Sequence, residues 1–595
     1  MVERKKEMGR DRVSRLISWG HWFAFFNGFL AMIVGFRYLD TVGYPESWLG
    51  WGYLAISTIG HFSFLSFIVY LVLVFPVTLL LPYSKILRGY AASIATLSLC
   101  ILLYDTIIYD DYGLHLSPFV FDLAWADLNA LLRGTSYIVT PIGIIVLELT
   151  AANFLWKRIE KIHKVKCGNK VVAFVGLCFV SSHLIHIWAD AASVTDITRL
   201  DDAYPLSYPA TARSFMESHG IDGDKNNKRH SDLRSNISYP ITPMQCVNEE
   251  PKNNILLITV DSLRADMLDE STMPFLSQYA KENQDFHQHL SGGTQFSSGM
   301  FSIMYGLQGS YINDGTLDHT EPLLIQELNR QGYQTALFAT DDLVFKPNAI
   351  FKGLEQHISA VDNSHAMADK ASIASFEKWR TQTSSPWFGL INLRSPESYD
   401  TPIGFLGIET VRPKKTLTSA ERVLFNQYRQ SLNFIDNELK NVIQALPQET
   451  LVIITGVSGK LFTSNPNEAR SNMSPDNVHV PLIIHWPGKV PPKDIKYRTS
   501  HYGIAPTLLS QVLGCTNAPT DYSAGRSLLQ PDSESWVYVG DNLIFGIYQN
   551  SEITVIDRHG KYRIYDENYE RRLRKKMSAP ELIEVMREGR RLYNQ

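Results

Sequence analysis

The spacing of apolar and polar positions changes character near residue 190. Before it lie five long, nearly unbroken apolar runs, at about 18–38, 55–81, 88–109, 136–156 and 171–190. A helix crosses the hydrocarbon core of a bilayer with roughly 20 such residues, so the pattern predicts five transmembrane helices. The first run lacks a small-residue cleavage site and is followed by another run, so it reads as a span and not as a signal peptide. After about 251 the pattern becomes short apolar runs separated by helix-period segments. NILLITVD, QTALFAT, WFGLINL, LVIIT and VPLIIHW read as buried parallel strands, with helical patterns near 273–283, 320–331, 366–380 and 418–446. That alternation predicts an α/β domain, a mostly parallel sheet covered by helices. The expected organisation is a tail at 1–17, a transmembrane domain at 18–190, a linker at 191–250 and an α/β domain at 251–595.

Charge adds a direction. The N-terminal tail carries Arg4, Lys5, Lys6, Arg10, Arg12 and Arg15, the second loop Lys85 and Arg88, and the fourth loop Lys157, Arg158, Lys161, Lys164, Lys166 and Lys170. The first and third loops carry Asp40, Glu46, Asp110, Asp111, Asp122 and Asp127 instead. Basic loops stay in the cytoplasm, which places the N-terminus there and everything after about 190 outside. Trp19, Trp22, Trp156 and Trp188 lie near span ends, as interfacial aromatics do. A net charge of −4 gives no footprint for nucleic acid, and no nucleic-acid partner is expected.

Of the five cysteines, only Cys246 and Cys515 lie in the polar part of the chain. An oxidising compartment would allow them to pair, although the sequence does not show that they meet. No CxxC or His/Cys zinc spacing occurs. Inside the spans, His61, Asp105, Glu148, His183 and His186 are candidates for helix–helix bonds or a partner surface, and Glu148 lies deepest.

The linker contains YPLSYPATARSFMESHG, with Thr211, Ala212, Arg213, Ser214 and Phe215 at the start of a short helical pattern. Free N–H groups, a hydroxyl and a guanidinium there suit a lipid phosphate, while Phe215 and Met216 suit acyl chains. The same residues also suit an ordinary N-capped linker helix. Further on, Asp261 ends the strand NILLITVD, and ligands of open α/β sheets bind beyond the carboxyl ends of strands.

The segments NILLITVDSLRADML, SGGTQFSSGMFSIMYG and VPLIIHWPG together resemble the alkaline phosphatase/sulfatase superfamily. With five spans ahead of them, and with SWGHWFAFFN, GHFSF, IWADA and LSYPATAR, nearly the whole chain resembles the YejM (PbgA) family of Gram-negative inner-membrane proteins. The resemblance implies a regulator of lipopolysaccharide homeostasis that binds lipid A or another anionic phospholipid at the periplasmic face. It implies signalling to a LapB-like membrane adaptor that controls proteolysis of the lipid A deacetylase, and a cardiolipin-related role. Close relatives place a second arginine where this chain has Ser214, which brings Arg199 in as a further lipid-binding candidate.

Active members of the superfamily use a hydroxyl or modified cysteine as nucleophile beside divalent metals held by carboxylates and histidines. Asp261 supplies the first-strand acid. The nucleophile position corresponds to Gln295, with Thr294 and Ser297 beside it, so Asp261 and Thr294 are read as vestigial catalytic positions. The expected Asp-His pair is Val457 and Ser458, and the expected later histidine is Asn477, with His479 as an alternative on the opposite sheet surface. These replacements predict a pseudoenzyme with no cofactor. The alternative is a membrane-bound, metal-dependent phosphatase or phospho-group transferase acting on lipid headgroups.

Overall fold

Five helices are long and apolar enough to cross a bilayer: Val13–Asp40, Trp48–Leu80, Ser84–Asp110, Val139–Lys161 and Gly168–Ala189. They coincide with the five apolar runs. The computed structural model describes residues 2–45, 47–81, 83–112, 115–116, 136–165, 168–191, 194–198, 200, 203–207, 237–247 and 253–312. Beyond these it describes 317, 320–341, 348–362, 364–383, 386–412, 417–463, 468, 471–488, 493–531, 536–541, 544–549, 551–557, 561–573, 575 and 579–592. The chain divides into two compact units, Met1–Leu233 and Arg234–Gln595.

The first unit is built from α1 (Val2–Gly35), α2 (Trp48–Val69), α3 (Ser84–Tyr112), α4 (Ser136–Val165) and α5 (Gly168–Ala191). Helix α2 runs on through a π-helical turn, Tyr70–Val74, into Phe75–Leu80. Pro76 explains the turn: it has no N–H for the carbonyl of Val72, and a wider turn absorbs the lost bond. The hydroxyl of Tyr90 donates to the freed region at the carbonyl of Leu73, 3.3 Å away. Gly60 lets α2 and α5 touch backbone to backbone, because a Cβ there would lie 2.7 Å from the Cα of Phe179. Gly60→Leu is expected to push the two helices apart and cost about 1–3 kcal/mol, read as a lower unfolding midpoint of the full chain in detergent.

The two ends of the bundle differ in charge. At one end the guanidinium groups of Arg15 and Arg88 stack on Trp156, at 4.8 and 5.4 Å from the ring centre. Arg15 also pairs with Glu160 at 2.9 Å, and Arg88 donates to Asn153 at 2.7 Å. At the other end Asp105 accepts from Tyr38 and from the amide of Leu116, and pairs with His115 at 2.7 Å. There Ser47 donates to Asp196. Trp19 departs from the interfacial reading: it is fully buried, donates to the carbonyl of Ala152 at 3.1 Å, and stacks on Phe23. It pins α1 to α4 and is not a lipid-facing anchor. Glu148 is also fully buried, and its carboxylate accepts from Asn27 at 3.2 Å.

The strands of the second unit form an eight-stranded sheet. They are β1 (Asn254–Val260), β2 (Gln284–Leu290), β3 (Gln334–Thr340), β4 (Glu355–Ser359), β5 (Trp387–Leu393), β6 (Thr450–Gly456), β7 (Leu482–His485) and β8 (Lys493–Ser500). Their order is β4-β3-β5-β1-β6-β7-β2-β8. Helices on both faces bury β1, β5 and β6 completely, which is why those runs carry no polar alternation. The helices are α6 (Pro274–Glu282), α7 (Phe296–Tyr305), α8 (Leu323–Arg330), α9 (His365–Gln382), α10 (Ser419–Gln444) and α11 (Ile504–Gln511). A capping box, Thr418 with Glu421, fixes the start of α10.

The sheet is mixed. β7, read from the sequence as a parallel strand, pairs antiparallel with both β6 and β2. The chain between Gly456 and Leu482 includes a turn of helix, Pro475–Val478, and enters β7 running against both of its neighbours. A second sheet of four antiparallel strands, β9 (Trp536–Gly540), β10 (Ile544–Gln549), β11 (Glu552–Asp557) and β12 (Tyr562–Asp566), follows. Cys246 and Cys515 are joined in a disulfide. It fastens the stretch 237–247 to the domain, where Thr516 also donates its amide to Gln245 and Ile241 donates to Asp521.

Candidate functional site

β5, β1 and β6 are neighbours in the sheet, and their carboxyl ends lie side by side, the place where open α/β sheets form a ligand crevice. The amide of Asp261 donates to Leu393, and that of Val457 to Val260, so the three strand ends stay in register past their last paired residues. Helix α7 starts beside them. Gly299 allows this, since a Cβ there would lie 2.2 Å from the carbonyl of Val457. Gln295 is the N-cap of α7 and Thr294 precedes it, partly buried. Both positions expected from the sequence thus lie at the helix start, with Phe296 against Arg394.

Asp261 is buried at the end of β1 and pairs with the guanidinium of Arg394 at 3.4 Å. Arg394 follows β5, and three residues on Glu397 reaches the ammonium of Lys460 at 2.6 Å. Lys460 comes from the end of β6, lies 4.9 Å from the centre of the Tyr399 ring, and donates also to the carbonyl of Glu397. Glu397 accepts in addition from the hydroxyl of Ser262. Burial, with the nearby charge of Glu397, pushes the Asp261 carboxyl up to about 6 against the pull of Arg394 and Lys460. Burial pushes Asp369 up to about 6 as well, although its carboxylate accepts from the amides of Arg394 and Ser395. Asp369 thereby holds the Arg394 segment in place from below.

Two non-glycine residues take left-handed backbone here, Ser262 (φ 61) and Tyr399 (φ 56). Such conformations cost about 1–3 kcal/mol each and persist where surrounding bonds hold them. The carbonyl of Ser262 accepts from Tyr428 at 2.6 Å, and its hydroxyl is bound to Glu397. Behind the crevice, Arg264 pairs with Asp266 and Asp476 at 2.6 and 2.9 Å.

The superfamily resemblance implies divalent metals at this place, and the donor set does not fit them. Val457 offers no ligand atom, Ser458 offers a neutral hydroxyl, and Asn477 donates to the carbonyl of Asn472 at 2.9 Å. His479 lies in none of the named strands but is extended and bridges Leu290 of β2. It follows the helical turn Pro475–Val478 and its ring bonds the carbonyl of His287 at 2.8 Å. Among the described residues the only convergent set of three His, Cys, Asp or Glu ligand atoms is Cys246, Glu327 and Cys515, whose two sulfurs are bonded to each other.

Deeper still, His501 is fully buried. One ring nitrogen bonds the carbonyl of Gly456 at 3.0 Å, and the other accepts from the amide of Gly292, with the hydroxyl of Ser302, itself donating to Gly299, 3.2 Å away. Burial holds its pKa down to about 3, so it is a neutral brace between β6 and α7. Sequence reasoning missed Arg394, Glu397, Lys460 and His501. The available signal was position: Arg394 and Lys460 each come within a few residues of the end of a strand that the apolar pattern reveals.

The lipid-reading candidates Arg199, Thr211, Ala212, Arg213, Ser214 and Phe215 lie outside the described residues. What precedes them is described. Tyr204 is fastened to α2 by a hydrogen bond with Thr58 and by stacking on His61, whose ring also bonds the carbonyl of Pro205 at 3.0 Å.

Comparison with known proteins agrees with this two-part architecture. Residues 5–246 match a family described as a domain of unknown function (DUF3413), and residues 253–514 match the Sulfatase family. Among solved structures, an alkaline phosphatase superfamily protein from Vibrio parahaemolyticus shares a TM-score of 0.48 and 16% identity, covering 62% of this chain and 92% of that one. The lipoteichoic acid synthase LtaP from Listeria monocytogenes shares a TM-score of 0.45 and 16% identity, covering 59% and 95%. An uncharacterized protein of Haemophilus influenzae is 31% identical over 94% of this chain and 93% of its own length. The inner membrane protein YejM of Salmonella typhi is 31% identical, and that of Salmonella typhimurium 30% identical, each over 98% of both chains. Likeness of that extent, spanning the apolar helices and the sulfatase-like unit alike, means that the chain belongs to the YejM family of inner-membrane proteins.

Proposed function

We infer that the protein is a non-catalytic regulator of lipopolysaccharide homeostasis in the inner membrane. In this reading it binds lipid A or a related anionic lipid through Arg213 and the Thr211–Phe215 segment, with Arg199 as a further candidate. It then acts through its spans on an adaptor similar to LapB. The observation that carries the non-catalytic part is the Asp261 crevice: the sulfatase-like sheet is kept, while Arg394 and Lys460 stand against its carboxylates. Two observations support a periplasmic second unit. The Arg15–Arg88–Trp156 end of the bundle suits the cytoplasm, and the Cys246–Cys515 disulfide suits an oxidising compartment. The tie of Tyr204 and Pro205 to α2 links the stretch just before the lipid-reading candidates to the helices, which supports a signal passing between them.

The test replaces the native copy in cells with Asp261→Ala or Arg213→Ala at equal expression. Asp261→Ala is expected to leave cellular lipopolysaccharide unchanged, and Arg213→Ala to disturb it. The reverse outcome, together with metal-dependent phosphoester turnover by the wild type, would instead support a membrane-bound phosphatase or phospho-group transferase.

A further inference from the structure

Asp261 and Glu397 bring two carboxylates into one crevice, and Arg394 and Lys460 bring two cations against them at 3.4 and 2.6 Å. The sum is zero, and two monovalent side chains carry the same positive charge as one divalent metal ion. Both cations are largely withdrawn from water, with side chains 13% and 15% exposed. Each lies near an aromatic ring, Phe296 for Arg394 and Tyr399 for Lys460. Lys460 enters from the end of β6, where the superfamily pattern expects an Asp-His pair and this chain has Val457 and Ser458. The strand end that lacks the ligands therefore delivers the replacement charge.

We propose that Arg394 and Lys460 are built-in counter-ions that take over the electrostatic role of a divalent metal, so that the crevice is complete without one and excludes it. This rests on the non-catalytic reading above and adds a cause to it. The carboxylates remain because the cations need them: losing Asp261 leaves the buried Arg394 without its counter-charge, and losing Glu397 does the same, more weakly, to Lys460. It follows that the metal site is latent. Without the two cations, the buried Asp261 and the partly exposed Glu397 lie near one another with no counter-charge, and a divalent ion restores the balance. Affinity for that ion is expected to rise roughly tenfold for each opposing cation removed.

The experiment uses the full chain in detergent, with Mn²⁺ as the probe. The wild type should show the same unfolding midpoint with Mn²⁺, with Mg²⁺ and with a chelator. Arg394→Met/Lys460→Met, which keeps most of the side-chain volume, should unfold earlier and regain stability when Mn²⁺ is added. Asp261→Asn in that background should abolish the rescue. If the double variant does not fold, Lys460→Met alone keeps the Asp261–Arg394 pair and should show a smaller Mn²⁺-dependent gain. A folded variant that ignores Mn²⁺ would overturn this inference while leaving the non-catalytic reading intact. A wild type that binds Mn²⁺ through Asp261 would overturn it too, and phosphoester turnover by that metal-loaded wild type would remove the non-catalytic reading as well.

Discussion

Replacing Cys246 and Cys515 together with alanine lowers the stability of the second unit by about 2–5 kcal/mol. The two sulfurs close a sequence separation of 269 residues, which reaches across most of the unit. A cross-link over so long a loop removes much of the freedom of the unfolded chain, and a logarithmic dependence on loop length puts the effect near the top of the usual range. Local bonds temper the loss. Val247 donates to Gly514 and Gln245 accepts from Thr516, so the stretch before β1 keeps its place when the bond is cut. Denaturant unfolding of the full chain, with and without reductant, measures the effect: reductant should shift the wild type and leave the double-alanine variant unmoved. Equal midpoints for wild type with and without reductant would mean that the bond contributes nothing to the folded state.

A second large effect appears in acid. His501 is held neutral by burial, and its pKa of about 3 lies below the model-peptide value of 6.5. A histidine depressed in this way costs no stability above pH 6.5. As the pH falls below that value the unfolded chain takes up a proton that the folded chain refuses, and stability drops until about pH 3. At pH 4.5 the loss from this one group is about 3 kcal/mol relative to pH 7.5. Asp261 and Asp369 have the opposite sign. Raised to about 6, they favour the folded state as the pH falls from about 6 toward 3.8. The comparison of wild type with His501→Gln separates the two, because the carboxyls contribute equally to both proteins. His501→Gln should be less stable at neutral pH and should lose less stability on acidification. Parallel curves for the two proteins between pH 7.5 and 4.5 would show that His501 titrates normally.

How much was legible in the sequence depended on whether the cause was local. Spans and central strands are written in runs such as NILLITV and WFGLINL, because burial on all sides demands an unbroken apolar stretch. The direction of β7 was not legible, since LIIH reads the same in either direction and only its pairing with β6 and β2 decides. β2, QDFHQHL, does not stand out because its polar residues hide it, and β4, EQHIS, lies at the sheet edge with an exposed face. Trp19 looked interfacial from its place in the span, but its partner is Ala152, on α4. Asp261 could be picked out because it ends a strand. Arg394, Glu397 and Lys460 could not, because each has meaning only once a parallel order sets the ends of β5, β1 and β6 side by side.

The central claim is a lipid-responsive regulator whose sensing element includes Arg213, and its most direct test is lipid A binding. The full chain in nanodiscs is titrated with lipid A as wild type, Arg213→Ala and Arg213→Lys. A charge-assisted hydrogen bond contributes about 1.5–3 kcal/mol, so alanine should weaken binding roughly 10- to 100-fold. Lysine should recover only part of it, keeping the charge but losing the planar fork. Wild-type affinity in Arg213→Ala would contradict the account.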